Sequence, residues 1–360
     1  MSGGSSFQNQ TIRTEEPGVR AAYRGPVVDC QWHWYPRAVC EALLGRRAYP
    51  LWRRHEDGYV FEPSEGVVWH YNRDFVDLDR QFEIMDENGI DAAVVSPVIA
   101  ADVAALDVAD AREVCLLYNE ELARAQRTHP SRFHGLAVVP TQDADAAVDV
   151  LDDAVERLGL SGLLLHSNVA GGSIADPELW PLYARVEELG VPVFLHPTHA
   201  QPVARIADYA MEHPLSYMFD TTVAALSLIV GGVLDRFPEI RFVHPHLGGT
   251  LPYLVDRVDV YRSLGRWQME RPIREYLHRF YTDTVSESPG GLRLAIELYG
   301  VNQLLFATDY PYFPPAGGVK FVESNLAPAD AAQVFAGNAC RLLGLVSPPG
   351  LANLASASES

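Results

Sequence analysis

Val27-Val28-Asp29-Cys30-Gln31-Trp32-His33-Trp34-Tyr35-Pro36 is the stretch that decides the fold. A short β-branched run opens it, and polar and aromatic residues follow at once. A doubly wound nucleotide-binding sheet carries a glycine-rich turn after its first strand, so that phosphate can approach the backbone at a helix N-terminus. This stretch has no glycine. It offers instead Gln31 and His33, two residues apart, whose side chains share one side of an extended strand and could bind one ion together.

Outward from this segment the chain alternates between short apolar runs and amphipathic helical stretches. The strands expected are Val27 to Asp29, Ala92 to Ser96, Phe133 to Val139, Gly162 to Leu165, Val193 to Leu195, Ile240 to His244, Phe280 to Asp283 and Leu304 to Ala307. Helices are signalled at 111–128, 143–158, 179–189, 221–237 and 291–299. Ligand-type residues follow several of the strands: His33, His166, His196, His246 and Asp309. In a closed barrel those strand ends converge on one mouth, and the expected fold is an α/β (β/α)8 TIM-type barrel.

A chain of 360 residues fits one such barrel. Residues 1–25 read as a flexible arm, 26–346 as the barrel and 347–360 as a flexible tail. Residues 41–78 are longer than a βα loop requires and rich in Arg, Trp and Tyr. They read as a lid insertion after the first strand, or as a packed excursion that never meets substrate.

Hydrophobic residues make up 48% and charged residues 21%, the composition of a folded protein. A formal charge of −19 argues against nucleic acid, because phosphate neutralisation needs clustered Lys and Arg. A small-molecule substrate is favoured. The four cysteines form no CxxC pair, the first 26 residues lack the apolar core of a signal peptide, and the longest apolar stretch, 223–234, is too short to span a bilayer. A cytoplasmic protein without membrane association is expected.

Neutral imidazole and carboxylate are the usual ligands of a catalytic divalent ion. Each of the 12 histidines alone is weak evidence. The pattern is stronger, because His33, His196 and Asp309 each lie just after an expected strand. In the insertion, Arg53 and Trp69 are candidates for substrate contact. Trp69, with Trp52 and Tyr71, would favour a planar aromatic substrate if it faced the pocket, and would otherwise pack the insertion.

The chain resembles the amidohydrolase superfamily, in the group of aminocarboxymuconate semialdehyde decarboxylase and γ-resorcylate decarboxylase. The resemblance spans about residues 26–345. It rests on Asp29-x-x-x-His33-x-x-Pro36, Met85-Asp86-x-x-Gly89-Ile90-Asp91, His129-Pro130-x-Arg132-Phe133, Leu195-His196-Pro197, His246-Leu247-Gly248-Gly249-Thr250-Leu251-Pro252 and Thr308-Asp309-Tyr310-Pro311.

The resemblance implies one divalent metal ion, with zinc the first expectation and manganese the second. Its ligands would be Gln31, His33, His196 and Asp309. His246 and Asp309 would be the catalytic residues, and His166, at the mouth end of the fourth strand, could touch substrate. Arg257 matches an arginine that reaches the neighbouring subunit's site in family dimers, so a homodimer is implied; the plainer reading of Arg257 is a surface or interface ion pair. One departure stands out. Where the family has His-x-His or Glu-x-His, this chain has Gln31-x-His33, which implies either altered chemistry at an occupied site or a weakened site. The leading expectation is non-oxidative decarboxylation of an aromatic or unsaturated carboxylate. Alternatives are a metal-dependent hydrolase or cyclising dehydratase acting on an aromatic amide, ester or lactone, and a metal-free binding protein on the same barrel.

Overall fold

The computed structural model describes residues 23–65, 67–97, 103–198, 211–267 and 269–345. The tail expected at 347–360, and all but the last three residues of the arm expected at 1–25, lie outside them.

Strand β1 (Val28–His33) is followed by an antiparallel sheet of β2 (Leu51–His55), β3 (Gly58–Ser64) and β4 (Val67–Tyr71). Next come β5 (Ala92–Ser96), β6 (Phe133–Ala137) and β7 (Gly162–His166). A small hairpin of β8 (Asn168–Val169) and β9 (Gly172–Ser173) precedes β10 (Val193–His196), β11 (Phe242–His244), β12 (Phe280–Asp283) and β13 (Leu304–Leu305). The order β1-β5-β6-β7-β10-β11-β12-β13 is that of one parallel sheet. Its two edges meet: Cys30 N–H donates to Phe306 O at 2.8 Å, Asp309 N–H to Gln31 O at 2.9 Å and His33 N–H to Tyr310 O at 2.8 Å. The sheet is thereby a (β/α)8 barrel, and the join runs through the residues expected to hold a metal.

Apolar strands and amphipathic helices explain the layers. The principal helices are α1 (Leu78–Asn88), α2 (Val108–Thr128), α3 (Ala144–Asp152), α4 (Trp180–Leu189), α5 (Tyr217–Val230), α6 (Leu251–Ser263) and α7 (Pro289–Tyr299). Several begin at a side-chain cap: Asp77, Asp107, Asp143 and Ser288 each accept a backbone N–H from the first helical turn. Strand alternation sorts the side chains. Phe242 packs on Tyr183 of α4, with ring centroids 6.2 Å apart, so its face of β11 looks outward to the helices. His196 pairs in register with His166, and both occupy the opposite, inward face.

The β2–β4 sheet joins the barrel through aromatic packing. Tyr35, just beyond β1, stacks on Tyr71 at 4.3 Å, and Trp52 stacks on Phe61 at 4.9 Å and on Tyr71 at 5.5 Å. The chain of rings continues through Phe75 to Tyr312 at 5.3 Å, and from Tyr312 to His33 at 5.8 Å. The segment expected as a lid, 41–78, therefore carries a three-stranded sheet at 51–71 with a continuous line of aromatic contact to the barrel mouth.

Candidate metal centre

Three ligand atoms, one each from His33, His196 and Asp309, lie within 4.8 Å of one another, and all three residues are buried. The tautomers follow from the neighbours. His33 Nδ1 faces the carbonyl of Ser96 at 3.2 Å, and His196 Nδ1 faces the carbonyl of Pro197 at 2.7 Å. A carbonyl only accepts, so both Nδ1 atoms carry the hydrogen and both Nε2 lone pairs turn to the cluster.

His33 Nε2 is then 2.8 Å from Asp309 Oδ1, two acceptors in contact, and His196 Nε2 is buried with no hydrogen-bond partner among the described residues. Opposed lone pairs and an orphaned buried nitrogen are costly unless a cation lies among them. The donor set fits a divalent metal ion.

Gln31 reaches the same cluster. Its Nε2 donates to Asp309 Oδ1 at 3.1 Å and lies 3.5 Å from His246 Nε2, while its buried Oε1 has no partner among the described residues. In this rotamer the amide offers a donor to Asp309. A half-turn of the amide would exchange nitrogen for oxygen in the same place.

His246 completes the group from the other side of the mouth, with Nε2 4.0 Å from Asp309 Oδ2. It sits in a left-handed turn with φ 59°, Leu247 follows at φ 56°, and Asp309 has φ 63°. Such a conformation costs a non-glycine residue roughly 1–3 kcal/mol. The His246 turn is wedged in place. A Cβ on Gly249 would come within 2.7 Å of Thr222 Oγ1 on α5, and one on Gly248 within 2.6 Å of Tyr299 Oη on α7.

Burial governs the electrostatics. It drives His196 far below the ordinary histidine value, with further repulsion from His33, His166 and His246. It lowers His166 to about 3, helped by His33. His246 is also lowered by burial, although Asp309 pulls upward, and it is a neutral imidazole near pH 7. Two inward carboxyls are pushed up by burial: Asp29 to about 7 and Asp283 to about 8.

The structure thus brings Gln31, His33, His196, His246 and Asp309 together. His166 stands beside His196, with ring centroids 5.9 Å apart. Trp69 lies opposite Phe61 in the β3–β4 register, half-buried on the face that carries Trp52. Arg53 occupies the other face, 60% exposed and paired with Glu62, and Arg257 is exposed on α6 beside Tyr261. Within one subunit neither arginine joins the cluster. Sequence reasoning passed over Ser96, which sets the His33 tautomer, and Tyr312, whose ring flanks His33. Ser96 ends an apolar strand, and Tyr312 follows Asp309 in a proline-rich loop, so both had a positional signal.

His244 falls outside the site. It shares the outward face of Phe242, fully buried with both ring nitrogens unpartnered among the described residues, and burial lowers it to about 3. The unfolded chain takes up a proton below about pH 6.5 and the folded chain does not, so stability is lost as pH falls from 6.5 toward 3. A His244→Leu variant is expected to gain on wild type by about 1.4 kcal/mol between pH 7.5 and 5.5. Urea unfolding at the two pH values measures this, and an unchanged difference would refute it.

A parallel barrel whose mouth gathers two imidazoles and a carboxylate, with a third imidazole beside them, defines a metal-dependent barrel enzyme. The chain belongs to the amidohydrolase family, whose model matches residues 28–345. It is 30% identical over 287 residues to γ-resorcylate decarboxylase of Polaromonas sp., covering 74% of this chain and 87% of that one. It is 27% identical over 298 residues to 2-amino-3-carboxymuconate-6-semialdehyde decarboxylase of Dictyostelium discoideum, covering 80% of each. A solved dihydroxybenzoic acid decarboxylase from Polaromonas sp., with bound manganese and the inhibitor 2-nitroresorcinol, superposes with a TM-score of 0.75 at 24% identity, covering 89% of this chain and 98% of that one. The fold and family expected from the sequence are those found.

Proposed function

We propose that this chain catalyses non-oxidative decarboxylation of an aromatic carboxylate bearing a neighbouring hydroxyl. The observation that carries the reading is the buried His33–His196–Asp309 cluster with neutral His246 4.0 Å from Asp309. The decarboxylase relatives supply the reaction class.

His33, His196 and Asp309 would hold one divalent ion, with Gln31 as a further ligand through Oε1 after the amide turns. Once bound, the ion supplies positive charge that anchors the substrate's carboxylate and adjacent oxygen. Manganese takes precedence over zinc here, since a relative's structure holds it.

Asp309 delivers a proton to the ring carbon that bears the carboxylate. The bond to the carboxyl carbon then breaks, its electron pair returns to the ring, and carbon dioxide leaves. Between turnovers neutral His246 takes up a proton from water and passes it to Asp309, replacing the one that the ring has gained. His166, uncharged at neutral pH, lines the mouth as a substrate contact, and Trp69 and Tyr312 supply aromatic walls.

The test is a panel of 2-hydroxy- and 2,6-dihydroxybenzoates with carbon dioxide release and ring product as readouts. At least one member is expected to react, to stop with chelator and to recover with manganese or zinc. A metal-loaded protein that leaves the whole panel intact but cleaves aryl amides or esters would replace this reading with hydrolysis.

Exposed apolar residues on two helices support a homodimer. Phe219 and Val223 on α5 and Tyr253 and Val260 on α6 are exposed, Tyr253 at 83%, and Leu264 lies just past the end of α6. Arg257 falls in the same α6 stripe, four residues after Tyr253 and three before Val260. A homodimer closing on this face would present Arg257 to its partner, where its guanidinium could meet a substrate carboxylate. A Tyr253→Asp variant is expected to sediment as a monomer where wild type is a dimer; an unchanged mass would refute this face. All four cysteines are buried and free, which supports a reducing cytoplasm. Among the described residues no helix is long and apolar enough to cross a membrane.

A further inference from the structure

His246 and Asp309, the two residues given proton-transfer roles, are both held in left-handed backbone that their side chains do not favour. Something beyond their own propensity must fix them. Two aspartate side chains in the barrel interior answer this, and they do so by the same construction.

Asp283, at the end of β12, accepts the N–H of Val285 two residues along its own chain at 3.1 Å. Its same Oδ1 accepts the N–H of His246 from the neighbouring turn at 2.8 Å. Asp29, on β1, accepts the N–H of Gln31 two residues along at 3.1 Å and the N–H of Thr308 from the neighbouring segment at 3.2 Å. Its Oδ2 also accepts the Thr308 hydroxyl at 2.6 Å. Both carboxyls are buried, Asp29 at 0% and Asp283 at 2% exposure. Burying a carboxylate is unfavourable, and backbone N–H groups are what each has received in exchange for water.

We propose that Asp29 and Asp283 are a matched pair of positioning residues, Asp29 setting Gln31 and Asp309 for the metal and Asp283 setting His246 for proton transfer. The two differ in what they hold. Asp29 grips the residues on either side of the seam that carries the ligands, so its loss disturbs metal retention. Asp283 accepts hydrogen bonds from the His246 turn and from Val285 just past its own strand, and from none of the ligand residues, so its loss leaves the ligands in place and misdirects the imidazole.

This inference rests on the site reading above, and the experiment separates the two. The holoenzyme, purified with manganese, is compared with alanine and asparagine variants at each position. Readouts are metal affinity by chelator competition, kcat and KM. Asp29→Ala is expected to weaken metal binding about 10–100-fold. Asp283→Ala is expected to keep metal binding and KM within about 3-fold of wild type and to lower kcat about 100-fold, the scale of a displaced proton-transfer group. Asparagine keeps an oxygen able to accept both N–H groups, and at position 29 its amide can donate to Thr308 Oγ1, so Asp29→Asn and Asp283→Asn should recover to within about 5-fold.

Asp29→Ser and Asp283→Ser, too short to reach both amides, stand in for an alanine variant that does not fold and are judged on the same two readings. The proposal is overturned if the alanine variants match wild type, if both lose metal and turnover together, or if asparagine is as damaging as alanine. A wild type that binds no metal and consumes no aromatic carboxylate would instead overturn the functional reading.

Discussion

An Asp309→Asn variant is expected to lose turnover by at least about 10³-fold and metal affinity by about 10–100-fold. The substitution is chosen for its restraint. Asparagine fills the same volume and tolerates the left-handed backbone that Asp309 adopts, so the turn at φ 63° is kept. What goes is the charge. Asp309 Oδ1 accepts the Gln31 amide at 3.1 Å and meets the lone pair of His33 Nε2 at 2.8 Å, and a neutral amide in that place binds a metal more weakly than a carboxylate and carries no proton to the ring. Elemental analysis beside a carbon dioxide assay checks both parts. A variant that keeps its metal and its turnover would remove Asp309 from the mechanism.

The second large effect is at His246. A His246→Asn variant preserves the left-handed turn and removes the imidazole, and kcat should fall by about 10²–10⁴-fold with metal content unchanged. The split between metal and rate is the informative part. His246 Nε2 is 4.0 Å from Asp309 Oδ2, near enough to exchange a proton after a small closure, yet it stands outside the three-residue ligand cluster. If the variant loses metal in step with activity, His246 is a ligand and the assigned division of labour is wrong. If kcat stays within about 5-fold, the proton moves by another route.

Much of this arrangement could be read from the chain. All eight barrel strands lie where apolar runs and their punctuation put them, and the absence of glycine between Val27 and Pro36 was enough to set aside a nucleotide-binding sheet. The errors are at the ends. β1 continues to His33, and β7 and β10 include His166 and His196, because inward-facing polar residues at a barrel mouth remain within the hydrogen-bonded ladder. A polar residue was taken as the end of a strand when it was the strand's working tip. At the other extreme β13 is only Leu304–Leu305, since the backbone beyond it leaves regular geometry to bond with β1 and to place Asp309.

The β2–β4 sheet was missed as a sheet, although a signal was present. Glu56-Asp57 is a two-residue turn between Trp52-Arg53-Arg54-His55 and Gly58-Tyr59-Val60-Phe61, two runs with aromatic residues broken by a polar pair, which is the pattern of a tight hairpin. The density of Arg and Trp drew the reading to substrate contact instead. Arg53 shows the cost of that, since its guanidinium is paired with Glu62 on the sheet's outer face. The roles of Asp29 and Asp283 were not legible for a different reason. Their partners are main-chain N–H groups, and no side-chain spacing records where a neighbouring strand will present its backbone.

The seam that closes the barrel also sets a schedule. Gln31 and Asp309 are 278 residues apart in the chain yet share a hydrogen bond. At synthesis rates of about 5–20 residues per second, roughly 15–60 s separate the appearance of the first ligand strand from that of the last. During that interval the nascent chain carries exposed imidazoles with no carboxylate to complete them. On the proposed ligand set metal loading would be a late event, and a product truncated before Asp309 would carry His33 and His196 without the third member of the cluster.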